Sequence, residues 1–386
     1  MNRGTSEIVP AGDSRWLEWL DQLPHDIYHR PEYHLLSGFG HQGTPYMFSY
    51  REQPDRLFLW PYLSRDIFGS RDCDVSSVYG YSGPLATPDA DFLSRAWEEL
   101  VRHWRNQRVV SAFTRFHPLI GNAGLIEANP GSSQGLCSFG TTVSIDLTLP
   151  PQAQVLGYQK VLRQEIRKAR EIGFVTREDA DWSHADSFVR LYRDTMTRRG
   201  GRPAYLIDEA WLEECRRALG SRVRLFVAEF QGAIAAALLA IEHGPFLHAH
   251  LTGTEAAVAA HSPLKVLLDG IRIWGTERGF RAFHIGGGLG GREDSLFQFK
   301  RRFSPVTHPF HIGRWILDPT RYRELESLHR ARLADQGYQL ANPDFFPAYR
   351  CEPVGANTLP QVATGGPLGA EAMKRLTTAT RAMREP

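Results

Sequence analysis

The chain has 386 residues, of which 42% are hydrophobic and 23% charged, with a net charge of +2. That length exceeds one compact core and calls for two domains, while the near-neutral charge excludes wholesale coating of nucleic acid and permits a local basic face. No apolar run is long enough to span a bilayer and residues 1–16 lack the apolar core of a signal peptide, so a cytoplasmic protein without a membrane span is expected.

In the first half, "YMFSYREQPDRLFLWPYLSRDIF" predicts a hairpin around Gln53-Pro54-Asp55. The stretch "DADFLSRAWEELVRHWRNQ" predicts a helix with Asp89 or Asp91 as its cap, and "VVSAFTRF" a strand after it. Next, "TVSIDLTLPPQAQ" has the character of a crossover strand and linker between halves. The helix "YQKVLRQEIRKAREIGF" follows, with Leu162, Ile166 and Ala169 as its apolar side. At 100° per residue, Lys160, Arg163, Arg167 and Arg170 fall in a band beside that stripe. Such a band can hold phosphates, because Arg presents a planar fork of donors, or it is a solvated face diluted by Gln164, Glu165 and Glu171. The loop "TRRGGRPAY" (197–205) adds three arginines.

The second half repeats the order of the first. "RVRLFVAEF", "AIAAALLAIEH" and "FLHAHLTG" read as three strands joined by tight turns, and "HSPLKVLLDGIRIWGTERGF" as a helix. Ser262 is its expected N-cap, Pro263 its first residue and Gly279 its stop. Strict alternation would place His248 and His250 on one side of their strand. The strand "RAFHI" then runs past His284 into "GGGLGG". Both halves therefore run antiparallel strands, helix, strand. The expected division is a domain over 1–150, a second over 151–348 carrying the active cleft, and a Gly-, Pro- and Ala-rich tail over 349–386, mobile or weakly packed.

The glycine block fails as a dinucleotide fingerprint, because no helix opens on it and no acid follows at the needed distance. It fails as a P-loop, because no Gly-Lys-Ser/Thr follows. An acetyl-coenzyme A site needs a glycine-rich turn before the helix at 261–280. That slot reads "LTGTEAAVAAHSPLKV" and holds no such pattern. The cysteines Cys73, Cys137, Cys215 and Cys351 are scattered, which predicts reduced structural thiols. No metal constellation and no cofactor are expected.

Taken together, "DVSSVYGYSGPL" (74–85), "SAFTRFHPL" (111–119), "TVSIDL" (142–147), "LRQEIRKAREIGF" (162–174), "FLHAHLTGT" (246–254) and "FHIGGGLGGREDSLFQFKRRFS" (283–304) resemble the Fem family of aminoacyl-tRNA-dependent transferases. Phe297, Phe299, Lys300 and Phe303 match that family's cleft-lining Leu-(Tyr/Phe)-x-Phe-Lys-x-x-Phe segment, while the long helical arm of some members is missing. The resemblance implies an α/β chain of two tandem acetyltransferase-like (GNAT-like) domains with mixed, largely antiparallel sheets. It implies transfer of an amino acid from aminoacyl-tRNA to an amine, either a peptidoglycan precursor or a secondary metabolite such as a peptide antibiotic. An acyl-CoA-dependent N-acyltransferase and a non-catalytic binding module are the competing readings.

Aminolysis of an ester builds an oxyanion, and a fixed cation aimed at it is commonly the largest catalytic term. The resemblance gives that role to Lys300, the alternative being a solvent-facing cap. Arg301, beside it, would meet phosphates of the donor. The substrate is expected to meet Arg163, Arg167, Tyr205, His248, His250, His284, Gly286, Gly287 and Phe299. In the first half, Asp74, Tyr79, Tyr81, Arg115 and His117 line the cleft or pack the halves.

Overall fold

The computed structural model describes residues 4–39, 43–52, 55–200 and 206–354. These form two compact units, one made of residues up to 140 together with 309–354, the other of 141–308.

The first unit begins with β1 (Thr5–Pro10), α1 (Arg15–Leu20) and α2 (Pro31–Phe39), followed by β2 (Thr44–Glu52), β3 (Arg56–Asp66), β4 (Cys73–Ser76) and the short β5 (Leu85–Ala86). The expected hairpin is β2–β3, paired from Thr44–Ser64 to Glu52–Arg56. Helix α3 (Ala90–Asn106) opens where the Asp89 carboxylate accepts the Phe92 amide at 2.8 Å. Its apolar side, Phe92, Leu93, Ala96, Trp97, Leu100 and Trp104, recurs at three- and four-residue spacing and is buried on the sheet. Strand β6 (Val109–Arg115) follows, then α4 (Gly124–Glu127) and α5 (Pro130–Ser133).

Strand β7 (Leu136–Asp146) leads into the second unit, which contains α6 (Pro151–Leu156), α7 (Lys160–Ile172), β8 (Val175–Glu178), α8 (Ala185–Arg198), α9 (Glu209–Leu219), β9 (Val223–Phe230), β10 (Ala233–His243), β11 (Phe246–Thr254), α10 (Pro263–Glu277), β12 (Ala282–Gly287) and α11 (Ser295–Arg301). Strand β13 (Thr307–Ile316) returns to the first unit and is followed by α12 (Pro319–Asp335), β14 (Gln339–Leu340) and β15 (Pro353–Val354).

The two units share one plan. The first orders its strands β1-β2-β3-β4-β6-β13 and the second β8-β9-β10-β11-β12-β7. In each, three antiparallel pairings are followed by one parallel pairing, β4 with β6 or β11 with β12. A helix, α3 or α10, bridges the parallel pair, as a parallel connection requires. An antiparallel strand then closes each sheet: β13 beside β6, β7 beside β12. The duplication inferred from element order is therefore present strand by strand.

The division differs from the one drawn through residues 150 and 348. Residues 309–354 belong with the first unit, because β13 pairs with β6 and Trp315 packs tilted against Trp97 and edge-on to Trp60 in that core. The beginning of the expected tail is also packed: Tyr349 is buried, and Arg350 Nε donates to the buried Asp74 at 2.5 Å. Residues 355–386, the rest of that tail, lie outside the described residues. Among the described residues the four cysteines are free thiols, and no helix is long and apolar enough to cross a membrane.

Candidate active site

The second unit's sheet has two unlike faces. On one, Val143, Ile145, Leu147, Leu247, Phe283 and Ile285 pack against Leu162 and Ile166 of α7 and Leu267, Leu268 and Ile271 of α10. Alternation sends their neighbours Thr142, Ser144, His248 and His284 to the other face. There Ser144 stands opposite His284, and His284 opposite His248, across three adjacent strands. All three are buried although polar.

The parallel pairing of β11 and β12 runs from Phe246–Ala282 to His248–His284 and ends there. Each strand carries an irregularity just beyond that point. On β11, His250 is extra between the pairs Ala240–Ala249 and Leu239–Leu251, and on β12 Ile285 is extra between His284–Ser144 and Gly286–Val143. Bulges bend strands and end pairing. Here they part the two strands, β11 staying with β10 to Thr254 and β12 with β7 to Gly287. His250, two residues after His248, is itself the extra residue of the β11 bulge. The two remain close, and burial, then the charge of His248, pushes His250 down to about 3.

Lys300 sits at this opening. Its Nζ donates to the Gly287 carbonyl at 2.8 Å, and the side chain is half-buried rather than in bulk solvent. The placement follows from the sequence of α11. Asp294 caps the helix by accepting the Phe297 amide at 3.0 Å and also holds the Leu289 amide at 3.1 Å. Phe297 and Phe303, three residues either side of Lys300, are buried in the core beside Tyr158, each contributing ~1.5–3 kcal/mol by burial. A residue three positions from each anchor lies at the edge of the buried stripe. Burial pushes the Lys300 ammonium down to about 8, the Asp294 carboxylate opposing that shift and Arg199 adding to it. The ammonium is the form present below that value.

The glycine run serves this geometry mainly by compactness. A Cβ on Gly288 would lie 1.9 Å from the Arg292 carbonyl and 2.5 Å from the Asp294 carboxylate, so the turn between β12 and α11 closes only without one. The run is also partly strand: Gly286 and Gly287 pair with Val143 and Thr142 of β7.

The remaining expected site residues divide. Phe299 is half-buried against Phe303, with ring centroids 5.5 Å apart. Arg301 donates to the Ser304 carbonyl at 2.6 Å, and its neighbour Arg302 to Glu165 at 2.5 Å, a carboxylate shared with Lys265. On α7 the stripe of Leu162, Ile166 and Ala169 is buried as expected, but three of the four cations are engaged within the chain. Arg163 donates to the Leu156 carbonyl at the end of α6 at 3.2 Å, Arg167 lies 3.5 Å from Glu171, and Arg170 pairs with the buried Asp269 at 2.5 Å. Helix α7 also packs on the face of the sheet away from His248 and His284. Tyr205 lies outside the described residues. In the first unit, Asp74 is buried between Arg65 and Arg350, and His117 against Asp26 at 2.6 Å.

Two residues near the opening escaped the sequence reading, and one belongs to the arginine loop at 197–205. Thr142 is buried opposite Gly287, and its hydroxyl has no hydrogen-bond partner among the described residues. Ser144 holds His308 Nε2 at 2.7 Å. Arg199 at the end of α8 acts on the Lys300 charge. The alternation in "TTVSID" carried the signal for Thr142 and Ser144.

Residues 157–301 match the acetyltransferase (GNAT) domain family. No curated protein matches the sequence significantly. Among solved structures, FemX is similar over 83% of this chain and 99% of its own, with a TM-score of 0.65 at 9% identity. A tandem GNAT protein from the clavulanic acid biosynthesis pathway is similar over 82% of this chain and 99% of its own, with a TM-score of 0.46 at 13% identity. The chain has a FemX-like fold whose two units share the mixed, largely antiparallel GNAT-like plan described above, and the matched acetyltransferase domain over residues 157–301 supports a transferase of acyl groups.

Proposed function

We propose that the protein is an aminoacyltransferase that moves an amino acid from aminoacyl-tRNA to an amine, forming an amide, with Lys300 as the group that stabilises the oxyanion. The observation that carries this reading is the Lys300 ammonium, held 2.8 Å from the Gly287 carbonyl where β11 and β12 part. A cation fixed by its own scaffold needs no reorganisation as negative charge builds on the ester carbonyl, and this preorganisation supplies much of the rate enhancement. The amine attacks the ester carbon, the C–N bond forms, the tetrahedral centre collapses, and the ribose oxygen leaves with a proton. The acceptor is a peptidoglycan precursor or a secondary metabolite, and the lack of a long helical arm among the described residues favours the latter.

The second reading is transfer from acyl-CoA, favoured by the GNAT match over residues 157–301. Against it stands the segment before α10, where a CoA pyrophosphate would be expected to rest. Ser262 makes no side-chain cap there and instead takes a hydrogen bond from Lys265 at 3.0 Å, a lysine already paired with Glu165.

Incubation with charged tRNA and a panel of amines, with and without ribonuclease, separates the two. Ribonuclease-sensitive amide formation is expected. Turnover with acyl-CoA alone would overturn the tRNA reading and leave the acyltransferase.

A further inference from the structure

In the first unit, β13 loses its neighbour on one side before it ends. Its amides alternate in direction: the Leu317 amide, just past the strand, reaches the Val110 carbonyl of β6 at 2.9 Å, and the Arg314 amide reaches the Gly135 carbonyl on the opposite side at 2.8 Å. Ile316, two residues after Arg314, therefore turns its N–H and C=O away from β6. The chain before Gly135 curls into α5 instead of continuing β7, and among the described residues no backbone group bonds Ile316 on that side.

This free edge is one wall of a cavity of about 770 Å³ between β13, α5 and α3. That volume is usual for a ligand site. Trp97, Val101, Trp315 and Leu317 supply its apolar surface, and Trp315 is fixed because its Nε1 donates to the Ser132 carbonyl at 2.8 Å. Alternation turns the Arg314 side chain to the other face, beside Tyr322 of α12. The α3 wall is polarised. Glu98 and Arg105 stand seven residues apart, about 10 Å along the helix axis. Arg102, between them, is held by Glu99, whereas Arg105 has no ion pair among the described residues. Strand β6 follows α3 directly, and its Val110 and Ser111 are the residues that meet Leu317 and Ile316, so the free edge lies at the Arg105 end.

We infer that this cavity binds the carboxyl-terminal end of a peptide. An edge strand offers a main-chain donor and acceptor to an extended peptide, the apolar surface takes a side chain, and the Arg105 fork suits the terminal carboxylate. Glu98, at the far end, turns away a second acid and suits an N–H donor. The site lies wholly in the first unit and stands whatever donor the second unit uses.

The probes are acetyl-leucyl-leucine, its carboxamide and butyrate, titrated into the full chain and followed by backbone-amide ¹H–¹⁵N NMR. The acid is expected to move the Ile316 amide and to bind about tenfold more tightly than the carboxamide, because only the acid makes a charged hydrogen bond. Arg105→Gln should abolish that preference and leave carboxamide binding unchanged. Ile316→Pro should weaken both dipeptides and keep the thermal midpoint, since proline is tolerated where an edge N–H bonds nothing. If that variant unfolds, the Ile316 shift in the unaltered chain decides. Equal binding of acid and carboxamide, or shifts confined to residues outside the cavity wall, would overturn the inference. So would the absence of any shift at about 10 mM probe, where even a weak site fills. Butyrate binding as tightly as the dipeptide acid would reduce the cavity to a pocket for apolar anions and overturn the peptide.

Discussion

The parallel strand pair occurs twice in this chain, and the two copies end differently. In the first unit, β4 meets β6 through Ser76–Phe113, and the chain beyond β4 keeps filling the same edge: the Ser77 amide reaches the Phe113 carbonyl at 3.0 Å, and the Ser82 amide the Arg115 carbonyl at 2.8 Å. Asn122 then ties the Ser82 and Pro84 carbonyls down at 2.8 and 3.0 Å. In the second unit the equivalent pair stops at His248–His284, and bulges part the strands. A GNAT-like sheet is thus a scaffold whose opening can be kept or sealed by about ten residues of chain. His117 in the sealed copy is fully engaged: its Nδ1 accepts the Ile120 amide at 3.1 Å, leaving Nε2–H to donate to Asp26 at 2.6 Å, so it has no lone pair left for a substrate.

The largest expected effect separates the copies directly. Lys300→Ala should lower kcat by about 10²-fold or more, equivalent to ~3 kcal/mol, if the open copy alone performs the chemistry. A loss below threefold would remove Lys300 from the oxyanion role. Arg115→Ala, in the sealed copy, should leave kcat within about threefold, and a larger loss would mean that the first unit also serves the reaction.

The same lysine gives a pH signature. Burial lowers its pKa to about 8, so the ammonium is present below that value and lost above it. The rate should therefore fall as pH rises through about 8, near tenfold per further pH unit. A profile flat to pH 10 would mean that the charge is not used. Lys300→Arg, which stays charged throughout, should remove this limb even where it slows the reaction.

Two glycines sharpen the comparison through stability. Gly80 in the sealing segment has φ +107°, and a Cβ there would sit 2.2 Å from the Tyr28 ring. Gly288 beside the opening would place its Cβ 1.9 Å from a backbone carbonyl. Each alanine substitution should cost ~1–3 kcal/mol, read as a fall in the denaturant midpoint. Activity should part them: Gly80→Ala should keep kcat while folded, whereas Gly288→Ala displaces α11 and Lys300 and should lose kcat beyond its stability cost.

What was legible in the sequence followed local rules. The stripe of Leu162, Ile166 and Ala169, the cap Asp89, Pro263 opening α10 and the β2–β3 hairpin all depend on residues within a few positions of one another. What was missed depends on distant chain. Strand β13 pairs with β6 across roughly two hundred residues, so its membership in the first unit left no local mark. Ser262 was a sound cap by type, yet it adopts a left-handed conformation, φ +65°, with no cap bond. At the site, the family segment around Lys300 was readable. The meeting of His248 with His284, 36 residues apart, needed the parallel register.

The basic helix yields the smallest effect and the sharpest test of what charge patterning alone can tell. Four cations in a band read as a phosphate grip, but three-dimensional partners absorb Arg163, Arg167 and Arg170, and α7 lies on the face of the sheet away from the imidazoles. Arg167 and Glu171 form an exposed pair at 3.5 Å, and such pairs are worth ~0–1 kcal/mol. Arg167→Ala should shift stability by less than about 0.5 kcal/mol and leave the salt dependence of tRNA binding unchanged. A shallower slope of log Kd against log salt, by close to one unit, would instead show that Arg167 meets a donor phosphate and that the nucleic acid reaches around to the α7 side.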